Sequence, residues 1–224
     1  MVTLKHVAII PDGNRRWAKQ NNKPNIQGHT KGYERIREAI TYARSIGIEV
    51  ITVWAFSTEN WKRAQDEVGE LMTLITKGVL KIHRDAQKEK AKVVHIGRRD
   101  RLDKKLLRLM ETVEKETKGY KGFTLCLAID YGGEDEIVRA DIRKQEVGSK
   151  SKELIHYVDT ALHGLPSPDL IIRTGGENRT SGFMPLQSSY AEWIFEEKMF
   201  PDFDTATFQK NIDIYKKRDR RYGK

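Results

Sequence analysis

Six short apolar runs, rich in β-branched residues and separated by longer segments of helical periodicity, constrain this chain more than any other feature. They cover residues 6–10, 49–56, 92–96, 123–129, 169–173 and 192–195. Apolar runs of about four to eight residues read as strands buried on both faces. The spacers, at about 28–45, 67–89, 101–117, 134–144, 150–163 and 205–217, place apolar residues at helical spacing. Such alternation predicts an α/β domain in which these runs form a mainly parallel sheet covered by helices on both faces. No Gly/Ser/Pro-rich linker and no internal repeat divides the 224 residues, so 1–224 is read as a single domain.

Composition removes several function classes. Cys126 is the only cysteine, which excludes an intramolecular disulfide and a thiolate zinc site, and its setting in FTLCLAIDY suits a small buried hydrophobe. The histidines (His6, His29, His83, His95, His156 and His163) lack metal-ligand spacing. No run approaches the ~18 apolar residues of a membrane span, and the first apolar stretch is too short for a signal peptide, so a cytoplasmic protein is expected. The net charge of +9 suits an anionic partner: nucleic acid, a phosphorylated small molecule or an anionic membrane surface. The sequence has no recognisable nucleic-acid module and no basic-aromatic stripe, so no nucleic-acid partner is expected.

Ligands of open α/β sheets gather beyond the carboxyl ends of the strands. Here those segments read PDGNRR, STENWKR, GRRDR, DYGGEDE and TGGENRTSG. Turns account for the glycines and some acids, but they do not require Arg16, Arg63, Arg173 and Arg179. The stretch from Pro11 to Arg16 is neither a Walker A loop nor a dinucleotide fingerprint, yet a strand-to-helix turn with Gly13 offers backbone N–H groups to an anion. Asp12 in such a place is either a turn-stabilising residue or a ligand for Mg²⁺, which takes one or two carboxylates together with substrate phosphates. A second cluster repeats the logic: Arg173 and Arg179 flank two glycines beside Ser181, and a second acid, Glu192, follows. Two such clusters suit two phosphorylated substrates, or one bearing several phosphates. Val68, Leu71, Met72, Ile75, Val79 and Ile82 form one apolar helix stripe, which either packs on the sheet or lines an apolar channel.

The segments HVAIIPDGNRRWA, GHTKGYERIREAI, AFSTENWKR, DYGGEDEIV, RTGGENRTSGF and QSSYAEWIF, in this order, resemble the signature regions of the cis-prenyltransferases, the undecaprenyl diphosphate synthase family. The resemblance runs from His6 to the final RDRRYG. It implies one α/β domain with a central, mainly parallel six-stranded sheet flanked by helices and a hydrophobic tunnel between the sheet and two helices, working as a homodimer. The implied reaction is Mg²⁺-dependent addition of isopentenyl diphosphate to an allylic diphosphate primer, giving a Z-polyprenyl diphosphate, a medium-to-long lipid-carrier precursor. Transient contact with a membrane surface would release the product.

Position by position, the resemblance makes Asp12 the aspartate that binds Mg²⁺ and assists departure of the allylic diphosphate. Gly13, Asn14, Arg15 and Arg16 form the diphosphate cradle, with Asn14 among the catalytic group and Trp17 and His29 as neighbouring substrate contacts. Ser57, Thr58 and Glu59 belong to a flexible loop completed by Trp61 and Arg63, and Asn60 helps remove the proton after condensation. Arg173, Arg179, Thr180 and Ser181 match the isopentenyl diphosphate site, and Glu192 the second Mg²⁺ ligand. Arg221 and Gly223 match a C-terminal R-x-G that reaches the active site across the dimer. The chain departs from the family pattern at Asn25, where an arginine is usual and Lys23 or Lys31 could substitute. It departs again at Asn178 for a histidine, at Pro185-Leu186 for Leu-Trp, and at Asp130 for an asparagine.

Overall fold

Strand β1 (His6–Ile10) shows why the sheet lies inside the molecule: Val7 and Ile9 face one side, Ala8 and Ile10 the other, and all are buried. In the computed structural model, which describes residues 4–148 and 153–218, five further strands join it. These are β2 (Val50–Ser57), β3 (Lys92–Ile96), β4 (Thr124–Tyr131), β5 (Leu170–Arg173) and β6 (Glu192–Phe195). Their order is β3-β4-β2-β1-β5-β6 and every pairing is parallel, so the expected mainly parallel sheet is parallel throughout. All strands therefore end on the same edge, where the post-strand segments collect.

Among the described residues, seven helices connect and cover the strands: α1 (Asn14–Gln20), α2 (Asn25–Ser45), α3 (Gln65–Glu89), α4 (Lys104–Thr117), α5 (Gly133–Glu146), α6 (Asp159–Leu162) and α7 (Thr205–Lys216). Helix α4 starts later than its periodicity suggests because the Asp103 carboxylate accepts from the Lys105 and Leu106 N–H groups and caps it there. The helix expected over 150–163 is corrected. Its described part is a 3-10 turn (Leu154–Tyr157) and the single helical turn α6, separated by extended Val158. Burial of Val158 and the pairing of Asp159 with Arg139, Arg143 and the Gly97 N–H outweigh the helical pattern there. The larger core lies under α2, α3, α4 and α7; the smaller, on the opposite face, centres on Trp54, Tyr131 and Phe183.

The larger face is not fully packed. A cavity of about 780 Å³ opens beside β1 and β2 and runs between the sheet (Val53, Leu127, Ile129), α2 (Tyr33, Ile36) and α3 (Leu71, Ile75, Val79). Ile82 lines its deep end and also lines a second cavity of about 520 Å³, bounded by Ile40, Ala86, Phe123 and Leu125. The apolar stripe of α3 thus does both things open to it. Val68, Leu71, Val79 and Ile82 join the core, while Leu71, Ile75, Val79 and Ile82 also form one wall of the expected tunnel. No helix among the described residues is long and apolar enough to cross a membrane.

Candidate active site

The cavity mouth is assembled from the ends of β1, β2 and β5 and the starts of α1 and α3. Gly13 leaves β1 with φ 101°, a left-handed conformation that side chains other than glycine's rarely adopt, and so turns the chain directly into α1. Helix α1 is only two turns long, so binding of an anion here rests on side chains and local N–H groups more than on a macrodipole. Asn14 donates from Nδ2 to the Pro11 carbonyl at 2.8 Å, while its buried Oδ1 has no donor among the described residues. That oxygen presses on α2, where a Cβ at Gly32 would lie 2.3 Å from it.

A line of alternating charge crosses the mouth: Arg173, Asp12, Arg16, Glu177, Arg179. Asp12 Oδ2 accepts from Arg173 Nη2 at 2.8 Å and Oδ1 faces Arg16 Nη2 at 3.4 Å; Arg16 Nη1 meets Glu177 Oε1 at 3.0 Å, and Glu177 meets Arg179. Arg173 is 4% exposed, a desolvated guanidinium whose cost is offset by Asp12, the Arg179 carbonyl at 2.6 Å and Ser181 Oγ at 2.7 Å. Its Nε is buried without an acceptor among the described residues. Thr174 Oγ1 donates to the Asp12 carbonyl at 2.8 Å and fastens β5 to the turn.

On the α3 side, Glu67 joins Arg15 at 3.6 Å and Arg63 at 3.1 Å. His29 lies beneath them with Nε2 buried and unpartnered among the described residues. Burial, then the positive charges of Arg63 and Arg15, push its pKa down to about 4, so it is a neutral imidazole at neutral pH. The loop after β2 is a 3-10 turn (Thr58–Lys62) held by a reciprocal cap: the Ser57 N–H donates to Asn60 Oδ1 at 3.0 Å and the Glu59 N–H to Ser57 Oγ at 3.2 Å. Burial opposes ionisation of Glu59, but donors from Ser57, its own N–H and Thr58, with Lys62 nearby, hold its carboxyl below the usual range.

The sequence-predicted residues are brought together unevenly. Asp12, Gly13, Asn14, Arg15, Arg16, His29, Ser57, Glu59, Asn60, Arg63, Arg173 and Ser181 all line the cavity. Trp17 instead donates from Nε1 to Asp202 at 2.9 Å, and Trp61 to Asp130 at 2.8 Å, so both brace the mouth from behind. Thr58, Arg179 and Thr180 do not line the cavity; Thr58 donates to Glu59 at 2.9 Å and Arg179 extends the charge line. Glu192 does not line the cavity. It pairs in register with Leu170, whereas the Asp12 side of the sheet follows the Ile10–Arg173 pair, three residues away. At ~3.3 Å per residue that places the two acids more than roughly 10 Å apart along the strands. Glu192 accepts there from Arg218 at 2.7 Å. Arg221 and Gly223 lie outside the described residues.

Asp12 is therefore the carboxylate that fits a metal. No cage of three or more His, Cys, Asp or Glu side chains occurs among the described residues, but Mg²⁺ held largely by substrate phosphates needs none. Sequence reasoning missed Lys19, which lines the mouth near Asn25 where Lys23 and Lys31 do not, and it missed Glu67. Glu67 was open to inference, since it lies four residues after Arg63 at helical spacing; Lys19 carries no such signal.

Comparison with known proteins places the chain in a family. A family model described as putative undecaprenyl diphosphate synthase matches residues 10–223. An isoprenyl transferase of Aquifex pyrophilus is 40% identical over 98% of this chain and 96% of its own, and one of Agrobacterium fabrum is 40% identical over 98% and 92%. The crystal structure of lavandulyl diphosphate synthase from Lavandula x intermedia, in complex with dimethylallyl diphosphate, superposes with TM-score 0.93 at 32% identity over 98% of both chains. A probable undecaprenyl diphosphate synthase from Campylobacter jejuni gives 0.86 at 31% identity over the whole of both. With its parallel sheet, charged mouth and apolar cavity, the chain belongs to the cis-prenyltransferase family, the isoprenyl transferases related to undecaprenyl diphosphate synthase, and is a prenyl-transferring enzyme.

Proposed function

We propose that the enzyme lengthens an allylic diphosphate primer with isopentenyl diphosphate units, in a Mg²⁺-dependent reaction, to give a Z-polyprenyl diphosphate of medium to long chain. The observation that carries this reading is the union, in a single space of about 780 Å³, of a mouth of paired charges and a hydrocarbon-lined interior. A diphosphate and a prenyl chain are the two halves of one ligand that suits both.

In this reading Gly13, Asn14, Arg15 and Arg16 hold the allylic diphosphate, with Trp17 bracing their helix and neutral His29 offering a hydrogen bond without charge. Asp12 would hold the Mg²⁺, and when bound the ion supplies charge neutralisation at the leaving oxygen. The allylic C–O bond breaks and the diphosphate leaves with the electron pair, its charge met by Arg16 and Arg15. The double bond of isopentenyl diphosphate, whose diphosphate Arg173, Arg179, Thr180 and Ser181 hold, supplies the electrons of the new C–C bond. Loss of a proton from the resulting cation restores an alkene. Asn60 helps by orienting the group that takes that proton, since a carboxamide is itself no base. Ser57, Thr58, Glu59, Trp61 and Arg63 close over the reactants and exclude water.

The assembly is proposed to be a cytoplasmic homodimer, with Arg221 and Gly223 serving the partner's site and transient membrane contact releasing product. The high similarity to lavandulyl diphosphate synthase favours one second reading, a short-chain or irregular coupling enzyme of the same family. Incubation with Mg²⁺, labelled isopentenyl diphosphate and C10, C15 or C20 primers, followed by chromatography, tests both. Products several units longer than the primer are expected. Products that stop after one coupling, or that form from allylic diphosphate alone, favour the second reading; no product with any primer overturns both.

A further inference from the structure

Asp130 is where the chain carries an acid in place of the family's usual asparagine, and nothing in the reaction above uses it. It is the penultimate residue of β4, fully buried, with φ 52°. A carboxylate removed from water must be paired, and Asp130 is paired by an unusual set. Oδ2 accepts from Arg101 Nε at 2.9 Å, and Oδ1 accepts both from Arg101 Nη2 and, at 2.8 Å, from the Trp61 indole N–H. The same guanidinium lies 5.8 Å from the centroid of the Trp61 ring, within range of a cation–π contact. The other side of that ring system meets Phe56 edge-on at 5.1 Å and 72°. The turn that carries Trp61 buries none of its residues; besides its own cap, Thr58 packs on Gly132, where a Cβ would lie 2.3 Å from Thr58 Oγ1. Trp61 adds a hydrogen bond to β4 and a ring contact to β2 that attach the turn to the sheet.

We propose that Asp130 and Arg101 form a clamp on Trp61 that positions the 58–62 turn, and with it Ser57, Glu59 and Asn60, at the cavity mouth. An asparagine would still accept from the indole, but with one acceptor oxygen and no charge it could not also take the paired, charge-assisted bonds from the arginine of the loop after β3. The acid therefore couples two loops that an asparagine would leave separate. Asp130 and Arg101 are positioning residues, and the inference rests on the reading of Ser57, Glu59 and Asn60 as substrate-side groups.

The test uses Asp130→Asn, which tolerates the left-handed backbone, Arg101→Ala, and the double variant, which removes both the buried charge and its counter-ion. In ¹⁵N NMR spectra of the substrate-free protein, the Trp61 indole resonance, identified by its absence in Trp61→Phe, shifts in all three. With substrates, kcat falls about tenfold while the KM for the primer stays within about twofold, because the contacts of Asp12 and Arg16 are intact. If the pair merely neutralised a buried charge, the double variant would regain wild-type kcat; the clamp requires that it does not. An unmoved indole resonance, or a double variant with wild-type kcat, overturns the proposal. Should the wild-type enzyme transfer no prenyl group, the functional reading fails, while the indole resonance and protease cleavage between residues 57 and 63 still decide the clamp. Unchanged cleavage in the variants overturns it.

Discussion

At the mouth of the cavity Asp12, Arg16 and Glu177 each meet two opposite charges, whereas farther in Ile36, Leu71, Ile75 and Val79 present only hydrocarbon. The two regions hold their shape by different physics. A half-buried ion pair depends on each partner's position, because charge without its counter-charge must be resolvated or neutralised. An apolar wall needs only volume, and neighbours can relax around a small change. The mouth should therefore be intolerant of substitution and decide whether reaction occurs, while the wall should be tolerant and decide what fits.

The strongest way to break this contrast is at Asp12. Asp12→Asn and Asp12→Ala are both expected to lower kcat/KM by about a thousandfold or more, measured by incorporation of labelled isopentenyl diphosphate, since they remove the carboxylate proposed to hold the metal and the counter-charge of buried Arg173. The asparagine variant should keep more of the fold, because its carboxamide oxygen still accepts from the guanidinium. Activity within tenfold of wild type in either would show that the charge line is incidental.

Next in size is Gly32→Ala. A methyl group there meets Asn14 Oδ1 at 2.3 Å, so α2 must move away from the turn. A stability loss of about 1–3 kcal/mol by denaturant unfolding is expected, with a roughly tenfold fall in kcat. An unchanged enzyme would mean that the Asn14 contact does not set the mouth.

Acid should also affect stability through His29. Its folded pKa, near 4, lies below the ordinary 6.5, so the unfolded chain binds a proton in this window while the folded one does not. Stability is then fully present above about pH 6.5 and is lost as pH falls toward 4, at up to about 1.4 kcal/mol per unit for this group. Buried His6 and His95, likewise near 4 chiefly through burial, add to the same slope. Thermal unfolding between pH 7 and 4.5 should show His29→Gln with a shallower slope than wild type; equal slopes would contradict a neutral buried His29.

The smallest effect on rate is expected in the wall. Ile75→Ala should leave kcat within about threefold but shift the product distribution seen by chromatography. A loss of activity as large as that of Gly32→Ala would erase the distinction between the regions.

The same contrast explains what the sequence reveals in advance. Strands such as β1 are legible because apolar β-branched residues must be buried on both faces, and glycine, acid and arginine after each strand mark the mouth. Helix α6 is less legible, because Asp159 is drawn to Arg139 and Gly97 by contacts distant in sequence. Glu192 looks like a partner for Asp12 in a linear reading; only strand register shows that it lies at the other end of the sheet. Lys19 and Trp61 are similar cases, since a side chain's direction from a short helix or turn depends on what packs behind it. The departures at Asn178 and Pro185-Leu186 have no structural account here.

The most direct test is a crystal structure with Mg²⁺ and a non-hydrolysable thio-analogue of farnesyl diphosphate. The account predicts the diphosphate on Asn14, Arg15 and Arg16, the ion on Asp12, and the prenyl tail between Ile36, Leu71 and Ile75. A tail lying outside the cavity, or a diphosphate bound away from Asp12, would contradict it.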